Sequence, residues 1–329
     1  MTGSTKNSTQ EFNQTKLNDN CGLIIEPGVI SDPLNLDTNK LNALFKKHRA
    51  LYFKGWNMNF TMFQELSARL CKNFSSYEGG GFRFKQLNRD FVNKDKTIMT
   101  TTGSTQGFPI PLHGEMHYMG IPPELIWFYC KVPGINTGQT TICDGIALAD
   151  KLPDDVKLFF TNRNIKYLRF LPDGSWQSTF MTDDSEEAMR LCDAQKVKYS
   201  YDESTKRFTT EYVVNPYLTS SDNGKVAFIN NILNIAAVEW AFESGWAKKE
   251  LGDNLGDECP LIVRMENGDR IPEDILSQVR ETAESLTHNI DWKEGELLML
   301  DNLSVMHGRR ESTSKNREIF VRMGDTNFN

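Results

Sequence analysis

Apolar residues along this chain recur with two periods, near 3.6 in a few stretches and near 2 in many more, and each period predicts a different element. Asn39–His48 reads as a helix with Leu41, Leu44 and Phe45 on one side and lysines on the other, and Thr61–Leu70 as a second amphipathic helix. Ser185–Ala194, Ile235–Lys249 and Pro272–Leu286 read as further helices, the last opened by a proline in its first turn. Trp240, Phe242 and Trp246 form an aromatic stripe expected to face the core. Gly22–Glu26, Ala50–Gly55 and Val226–Asn231 read as short strands, and residues 153–225 as a run of short strands and turns. Leu125–Val132 is too continuously apolar for a half-exposed strand and belongs at the centre of a sheet, covered on both faces. Thr137–Asp144 turns back into the sheet, and Trp292–Glu296 is a tight turn feeding the apolar run that begins at Leu297.

The strands are many and short, and the helices are inserted among them rather than alternating one for one. That pattern argues for a mainly β, α+β fold: a double-stranded β-helix (jelly-roll) core decorated by helices. Neither G-x-G-x-x-G nor G-x-x-x-x-G-K-S/T occurs, so a Rossmann sheet and nucleotide binding by those routes have no support.

Composition narrows the partners. Residues 1–19 are rich in Ser, Thr and Asn and are expected to form a disordered tail. No Pro/Gly/Ser-rich linker divides the remainder, so residues 20–329 are expected to form a single domain. A formal net charge of −7 and a pI near 5.4 disfavour nucleic acid or an anionic membrane surface as the partner. No apolar run approaches the roughly 20 residues of a membrane span, and the N-terminus is not signal-like, so a cytoplasmic or other soluble intracellular compartment is expected. Six cysteines without a C-x-x-C pair are expected to be reduced and mostly buried.

There are only five histidines, His48, His113, His117, His288 and His307, which limits the metal-ligand sets that can be written. In Pro111–Tyr118 a histidine and a carboxylate stand two residues apart, and on an extended backbone His113 and Glu115 point the same way. His307, where the apolar run Leu297–Leu300 has given way to a polar turn, completes the set. Two imidazoles and one carboxylate leave metal positions open, as in non-haem Fe(II) oxygenases. His48 and His288, each at a helix end, are expected to be structural. His117 shares the strand face of His113 if the strand continues, and reads equally as a substrate contact, a hydrogen-bond donor behind the ligands, or a core histidine. Two rival readings stand beside this one: a zinc hydrolase using the same triad, which here lacks H-E-x-x-H and an evident general base, and a non-enzymatic cupin-like small-molecule or metal-binding protein, which would keep only the barrel.

The runs PLHGEMHY, TGQTTICDG and DNLSVMHGRR, in that order, together resemble the taurine/2,4-D dioxygenase (TauD/TfdA-like) superfamily of Fe(II)/2-oxoglutarate oxygenases. The glutamate in the His-x-Glu pair resembles the branch of clavaminate synthase and the syringomycin-type amino acid hydroxylases. This implies iron held by His113, Glu115 and His307, with 2-oxoglutarate and O2 as co-substrates. It implies that the Thr140 hydroxyl helps hold a 2-oxoglutarate carboxylate, although Thr137 stands where the family's Gly-Gly-x-Thr has its first glycine. The distal carboxylate calls for an arginine fork on the strand after the second histidine. Arg317, ten residues beyond His307, is the first choice and Arg322 the second; a regular strand turns them to opposite faces. Glu115 argues against halogenation, because related halogenases replace that carboxylate with a small residue.

Residues 76–106, polar and with few helical signals, are expected to form either a loop over the active site, a candidate lid, or an ordinary surface excursion. One of Arg309 and Arg310 is expected to meet an acidic substrate or Asp301. The implied reaction decarboxylates 2-oxoglutarate to succinate and removes hydrogen from an unactivated carbon, ending in hydroxylation, desaturation or ring closure. The branch acts mostly on amino acids and their derivatives, and a basic pocket in an acidic protein suits an anionic one. The chain as a whole also resembles the kainoid synthases of red algae, which cyclise an N-prenylated glutamate.

Overall fold

Leu125–Val132 forms the central strand that its continuous apolarity predicts, with its first six residues all buried. Its side chains divide with period two: Ile126, Phe128 and Cys130 belong to one core, Leu125, Trp127 and Tyr129 to another. The computed structural model describes residues 10–75, 77, 80, 89–101, 107–220, 224–252 and 258–327.

With strands and helices each numbered in chain order, the largest sheet holds β1 (Phe12–Lys16), β2 (Leu23–Pro27), β3 (Ala50–Phe53), β4 (Cys71–Phe74) and β5 (Ile98–Thr100). It also holds β7 (Leu125–Val132), β16 (Leu297–Asp301) and β18 (Glu318–Thr326), in the order β1-β2-β3-β16-β7-β18-β4 with β5 on β18. A four-stranded sheet of β6 (Ile110–His113), β8 (Thr140–Asp144), β15 (His288–Ile290) and β17 (Val305–Arg309) runs β15-β8-β17-β6. The Phe128 ring of β7 lies 5.1 Å from the His307 ring of β17, so the inner faces of the two sheets meet at the future site. A further sheet joins β9 (Ile165–Leu171), β10 (Lys198–Asp202), β11 (Arg207–Val214) and β14 (Leu261–Met265), and β12 (Tyr217–Thr219) pairs with β13 (Val226–Phe228).

The outer face of the largest sheet is covered by α1 (Thr38–His48) and α2 (Phe60–Leu70), whose Phe63 stacks on Tyr129 of β7 with centroids 5.2 Å apart. The other helices are α3 (Gly145–Lys151), α4 (Asp154–Phe160), α5 (Ser175–Phe180), α6 (Ser185–Ala194), α7 (Ile232–Glu243), α8 (Trp246–Leu251) and α9 (Glu273–Leu286). The architecture is a mixed α+β fold rich in short strands. All six cysteines are free, and five are buried. Among the described residues no helix is long and apolar enough to cross a membrane.

Four expectations need correction. Phe12–Lys16, inside the stretch expected to be a disordered tail, is a strand, because Phe12 buries its ring and the backbone pairs with β2; residues 1–9 lie outside the described residues. The helix expected over Ile235–Lys249 is two helices, broken where Gly245 takes φ +74°. Its aromatic stripe does not enter the core: Trp240 is 61% exposed, and Phe242 and Trp246 are half-buried. Residues 153–225 hold two helices besides the expected α6: α4 and α5, of seven and six residues, are too short to leave a 3.6-residue period in the sequence. Most of the candidate lid lies outside the described residues, which retain from it Tyr77, Gly80 and residues 89–101.

Arg49, in the left-handed conformation that ends α1, grips both carboxylate oxygens of Asp144 at 2.6 Å. Asp144, 3% exposed, also caps α3 by accepting from Ile146 N–H, so one carboxylate joins α1, β8 and α3. Breaking a buried pair costs roughly 3–5 kcal/mol because the remaining charge stays desolvated. Arg49→Met is therefore expected to lower the unfolding free energy by about 3 kcal/mol in urea titration. A loss under about 1 kcal/mol would class the pair with screened surface bridges.

Candidate active site

β17 lies between β6 and β8, with His307 directly opposite His113 on one side and Arg309 opposite Thr140 on the other. His113, His307, Arg309 and Thr140 consequently line one cavity, together with Glu115, Arg317, Arg89 and Asn231. The ligand atoms of His113, Glu115 and His307 all lie within 4.8 Å of one another, a set that could hold one metal ion. His113 Nδ1 sits 2.9 Å from the Pro111 carbonyl, which only accepts, so Nδ1 carries the proton and Nε2 keeps its lone pair. The donor set fits a ferrous ion with open positions.

Glu115 arrives by a route different from the expected one. The strand stops at His113, and Gly114–Tyr118 turns, with Met116 at φ +61°. A side chain at Gly114 would collide with the His117 ring, its Cβ only 2.4 Å from that ring. The turn is pinned by Asn302, between β16 and β17. Asn302 Oδ1 accepts from Glu115 N–H at 2.7 Å, and Nδ2 donates to the carbonyls of Glu115 at 2.9 Å and Pro123 at 2.7 Å. His117 does not share a strand face with His113, since the strand has ended; its Nε2 donates to the Asn302 carbonyl at 2.8 Å. His48 and His288 lie outside the metal-binding group, and His288 begins β15 rather than ending a helix.

Burial, with His307 beside it, pushes His113 down to about 3, so the imidazole is neutral and can ligate. Burial alone would raise Glu115, but Arg89 and then His307 outweigh it and hold the carboxylate well below its usual range. Arg89 Nη2 lies 2.7 Å from Glu115 Oε2, and His307 Nε2 lies 3.5 Å from the same oxygen.

Thr140 and Arg317 come together. Arg317 Nη2 donates to Thr140 Oγ1 at 3.5 Å, and Trp292 Nε1 donates to the same oxygen at 2.9 Å. Arg317 Nε and Nη1, both buried, have no partner, which fits a guanidinium awaiting a carboxylate. Burial, with Arg309 close by, brings Arg317 down to about 10. Gly138, at φ +67°, makes room for it: a Cβ there would stand 2.9 Å from Arg317 Cδ. Thr137, in place of a glycine, ties the turn to the approach to Arg317 by donating to the Glu311 carbonyl at 2.8 Å and accepting from Thr313 N–H at 3.1 Å.

Arg322 is not part of this site, contrary to the second choice above. It lies on the α2 side of β18, donating to the Gln64 carbonyl and Ser67 Oγ at 2.9 Å and to Thr97 Oγ1 at 3.0 Å, with its guanidinium 3.4 Å from the Phe74 ring centre. Asp301 instead accepts from Ser304 Oγ and Leu303 N–H, while Arg310 grips Glu284 and Arg309 donates to the Phe108 carbonyl at 2.7 Å.

Residues 20–323 match the family model described as taurine catabolism dioxygenase TauD, TfdA family. The chain belongs to this family. It is an Fe(II)- and 2-oxoglutarate-dependent dioxygenase, which removes the zinc hydrolase and the non-enzymatic binder. Among relatives of this TauD/TfdA protein, the dapdiamide synthesis protein DdaC of Enterobacter agglomerans is 23% identical over 82% of this chain and 80% of its own length. A clavaminate synthase-like protein of Arabidopsis thaliana is 25% identical over the same shares. The fold is shared with PvcB of Pseudomonas aeruginosa, at TM-score 0.56, 12% identity and 96% and 92% coverage. AAD-2, solved with Mn(II) and N-oxalylglycine, also has a TM-score of 0.56, at 12% identity over 97% and 99% of the two chains.

Three residues of this dioxygenase's site escape sequence reasoning. Arg89 lies in a polar stretch with no period. Asn231 looks like an ordinary helix lead-in. Asn302 had a signal, a polar pair Asp301-Asn302 closing an apolar run just before the ligand strand.

His117 supplies a pH dependence. Burial, partly offset by the bond to Asn302, pushes it from 6.5 to about 4. Between those values the unfolded chain holds the extra proton, so stability falls as pH drops through that window and is fully present above 6.5. Acidifying the metal-free protein from neutrality to about pH 4 is expected to remove on the order of 3 kcal/mol through this group. Denaturant titrations at stepped pH should show His117→Gln with a shallower slope; equal slopes would mean that His117 does not titrate in this way.

Proposed function

We propose that this dioxygenase removes hydrogen from an unactivated C–H bond of an anionic amino-acid derivative, with hydroxylation, desaturation or oxidative cyclisation as the outcome. His113, Glu115 and His307 hold the iron, and Thr140 and Arg317 hold 2-oxoglutarate. When bound, iron would activate O2, and 2-oxoglutarate would supply two of the four electrons that reducing O2 takes, the substrate supplying the other two. The chain's residues hold the co-substrate, orient the substrate and keep water from the reacting carbon, with Phe128 and the two facing sheets forming the dry wall. We read those sheets as the halves of a double-stranded β-helix, and residues 20–329 as one catalytic domain.

One observation carries the substrate class. Among the described residues, three guanidiniums, Arg89, Arg309 and Arg317, and one carboxylate, Glu115, line the cavity. A ferrous ion and the 2-oxoglutarate dianion add equal and opposite charge. A buried site so rich in guanidiniums, in an acidic protein, suits an anionic amino-acid derivative whose two carboxylates can each meet one of them.

Beside this cavity, and sharing Phe108, Ile110, Asn234 and Val238 with it, opens a chamber of about 330 Å³ walled by Trp240, Phe242, Trp246 and Leu261. That volume lies at the lower end of ligand pockets, about 300–1,000 Å³. An acidic head with a hydrocarbon arm fits this pairing, which favours an N-prenylated glutamate and its cyclisation to a kainoid. The names of two similar proteins, dapdiamide synthesis protein and oxygenase from an isonitrile synthetic pathway, agree with a role in small-molecule biosynthesis.

The test is succinate release with Fe(II), O2, 2-oxoglutarate and N-(3-methylbut-2-enyl)-L-glutamate. Wild type is expected to release succinate in step with substrate loss, and Glu115→Ala to release none. Arg317→Ala is expected to raise the apparent 2-oxoglutarate requirement about tenfold or more, because a charge-assisted fork is lost. An unchanged requirement would take the anchoring role from Arg317.

A further inference from the structure

Asn231 occupies a position whose ordinary work it does not do. It immediately precedes α7, where an asparagine side chain commonly accepts from the first turn's N–H groups, yet it makes no such bond. Asn230 does that work: its Oδ1 accepts from Ile232 N–H at 3.0 Å and its Nδ2 donates to the Pro216 carbonyl at 3.0 Å. The backbone of Asn231 is satisfied, donating to Tyr167 Oη at 2.9 Å and accepting from Ile235 N–H at 2.9 Å. Its carboxamide is not. Fully buried on the wall of the metal cavity, it has a partner for neither Oδ1 nor Nδ2. Buried amides in native proteins are paired, so the missing partner comes from outside the chain.

We propose that Asn231 is a specificity-determining residue that reads the α-amino-acid head of the substrate. Its Oδ1 accepts from the substrate's amine N–H, and its Nδ2 donates to the neighbouring α-carboxylate. This rests on the reading of the substrate as an amino-acid derivative. A carboxylate alone leaves Oδ1 unmatched and an amine alone leaves Nδ2 unmatched; the α-amino-acid group satisfies both. α7 agrees with this orientation. Asn231, Asn234 and Val238, at helical spacing, line the metal cavity, whereas Asn234, Ala237, Val238 and Ala241 line the apolar chamber. The helix face thus passes from amide to aliphatic along its length, and a head held at Asn231 lets the nitrogen substituent run along it.

The test uses two probes on wild type loaded anaerobically with Fe(II) and 2-oxoglutarate: N-(3-methylbut-2-enyl)-L-glutamate and its ether counterpart, with oxygen in place of N–H. Calorimetric titration is expected to show the amine bound at least about tenfold more tightly than the ether. Asn231→Leu and Asn231→Ala should lose that preference while keeping wild-type affinity for 2-oxoglutarate, a readout that a merely structural role would not separate. If either folded variant keeps the amine preference, or wild type shows none, the inference fails and the substrate reading stands. If wild type binds neither probe, the substrate reading fails and takes the inference with it.

Discussion

The carboxamide of Asn302 joins the two halves of the site. Two of its three hydrogen bonds run from the β16–β17 turn to Glu115, 187 residues earlier in the chain, the third goes to Pro123, and the backbone carbonyl of Asn302 takes a fourth from His117. Asn302 is fully buried, so the three backbone groups that its carboxamide meets would stand unpaired without it, at a cost of roughly 1–3 kcal/mol apiece. The bonds also explain how a chain that leaves its strand at His113 still delivers Glu115 to the metal face. Met116, held at a positive φ inside the core, is the strained residue that this turn requires.

Around that joint the sheets supply the remaining positions by register alone. β17 carries His307 and Arg309 two residues apart, so both face the cavity, and pairing to β6 and β8 sets His113 and Thr140 opposite them. The period-two split of β7 lets one strand serve two cores, its Phe128 side walling the site while its Trp127 side packs under α1 and α2. The result is a cavity whose described lining is rich in arginine, in a protein whose net charge is −7. Such a cavity attracts and holds small anions while the outer surface does not.

Much of this was legible in the sequence, for particular physical reasons. Six consecutive buried positions in Leu125–Cys130 leave an apolar run that only a central strand explains. The scarcity of histidines left few ligand sets to choose from. Glu115 was found for a reason that proved incomplete: two-residue spacing suggested an extended backbone, whereas a turn and Asn302 do the positioning. The choice between Arg317 and Arg322 depended on what lies across each face of β18. Arg322 is claimed by Gln64, Ser67 and Thr97, from α2 and the β5 edge, and no local pattern announces such distant partners. Arg89 was illegible for the same reason, since its ion pair with Glu115 spans 26 residues across a stretch without period.

The central claim is that His113, Glu115 and His307 converge on one ferrous ion, with Thr140 and Arg317 holding the acid that shares it. An anaerobic crystal structure with Fe(II) and 2-oxoglutarate measures this directly. The expected result is one iron bound by two imidazole nitrogens and one Glu115 oxygen, with the distal carboxylate of 2-oxoglutarate on Arg317 and Thr140. Iron bound elsewhere, a fourth protein ligand closing the open positions, or the distal carboxylate on a different arginine would contradict it.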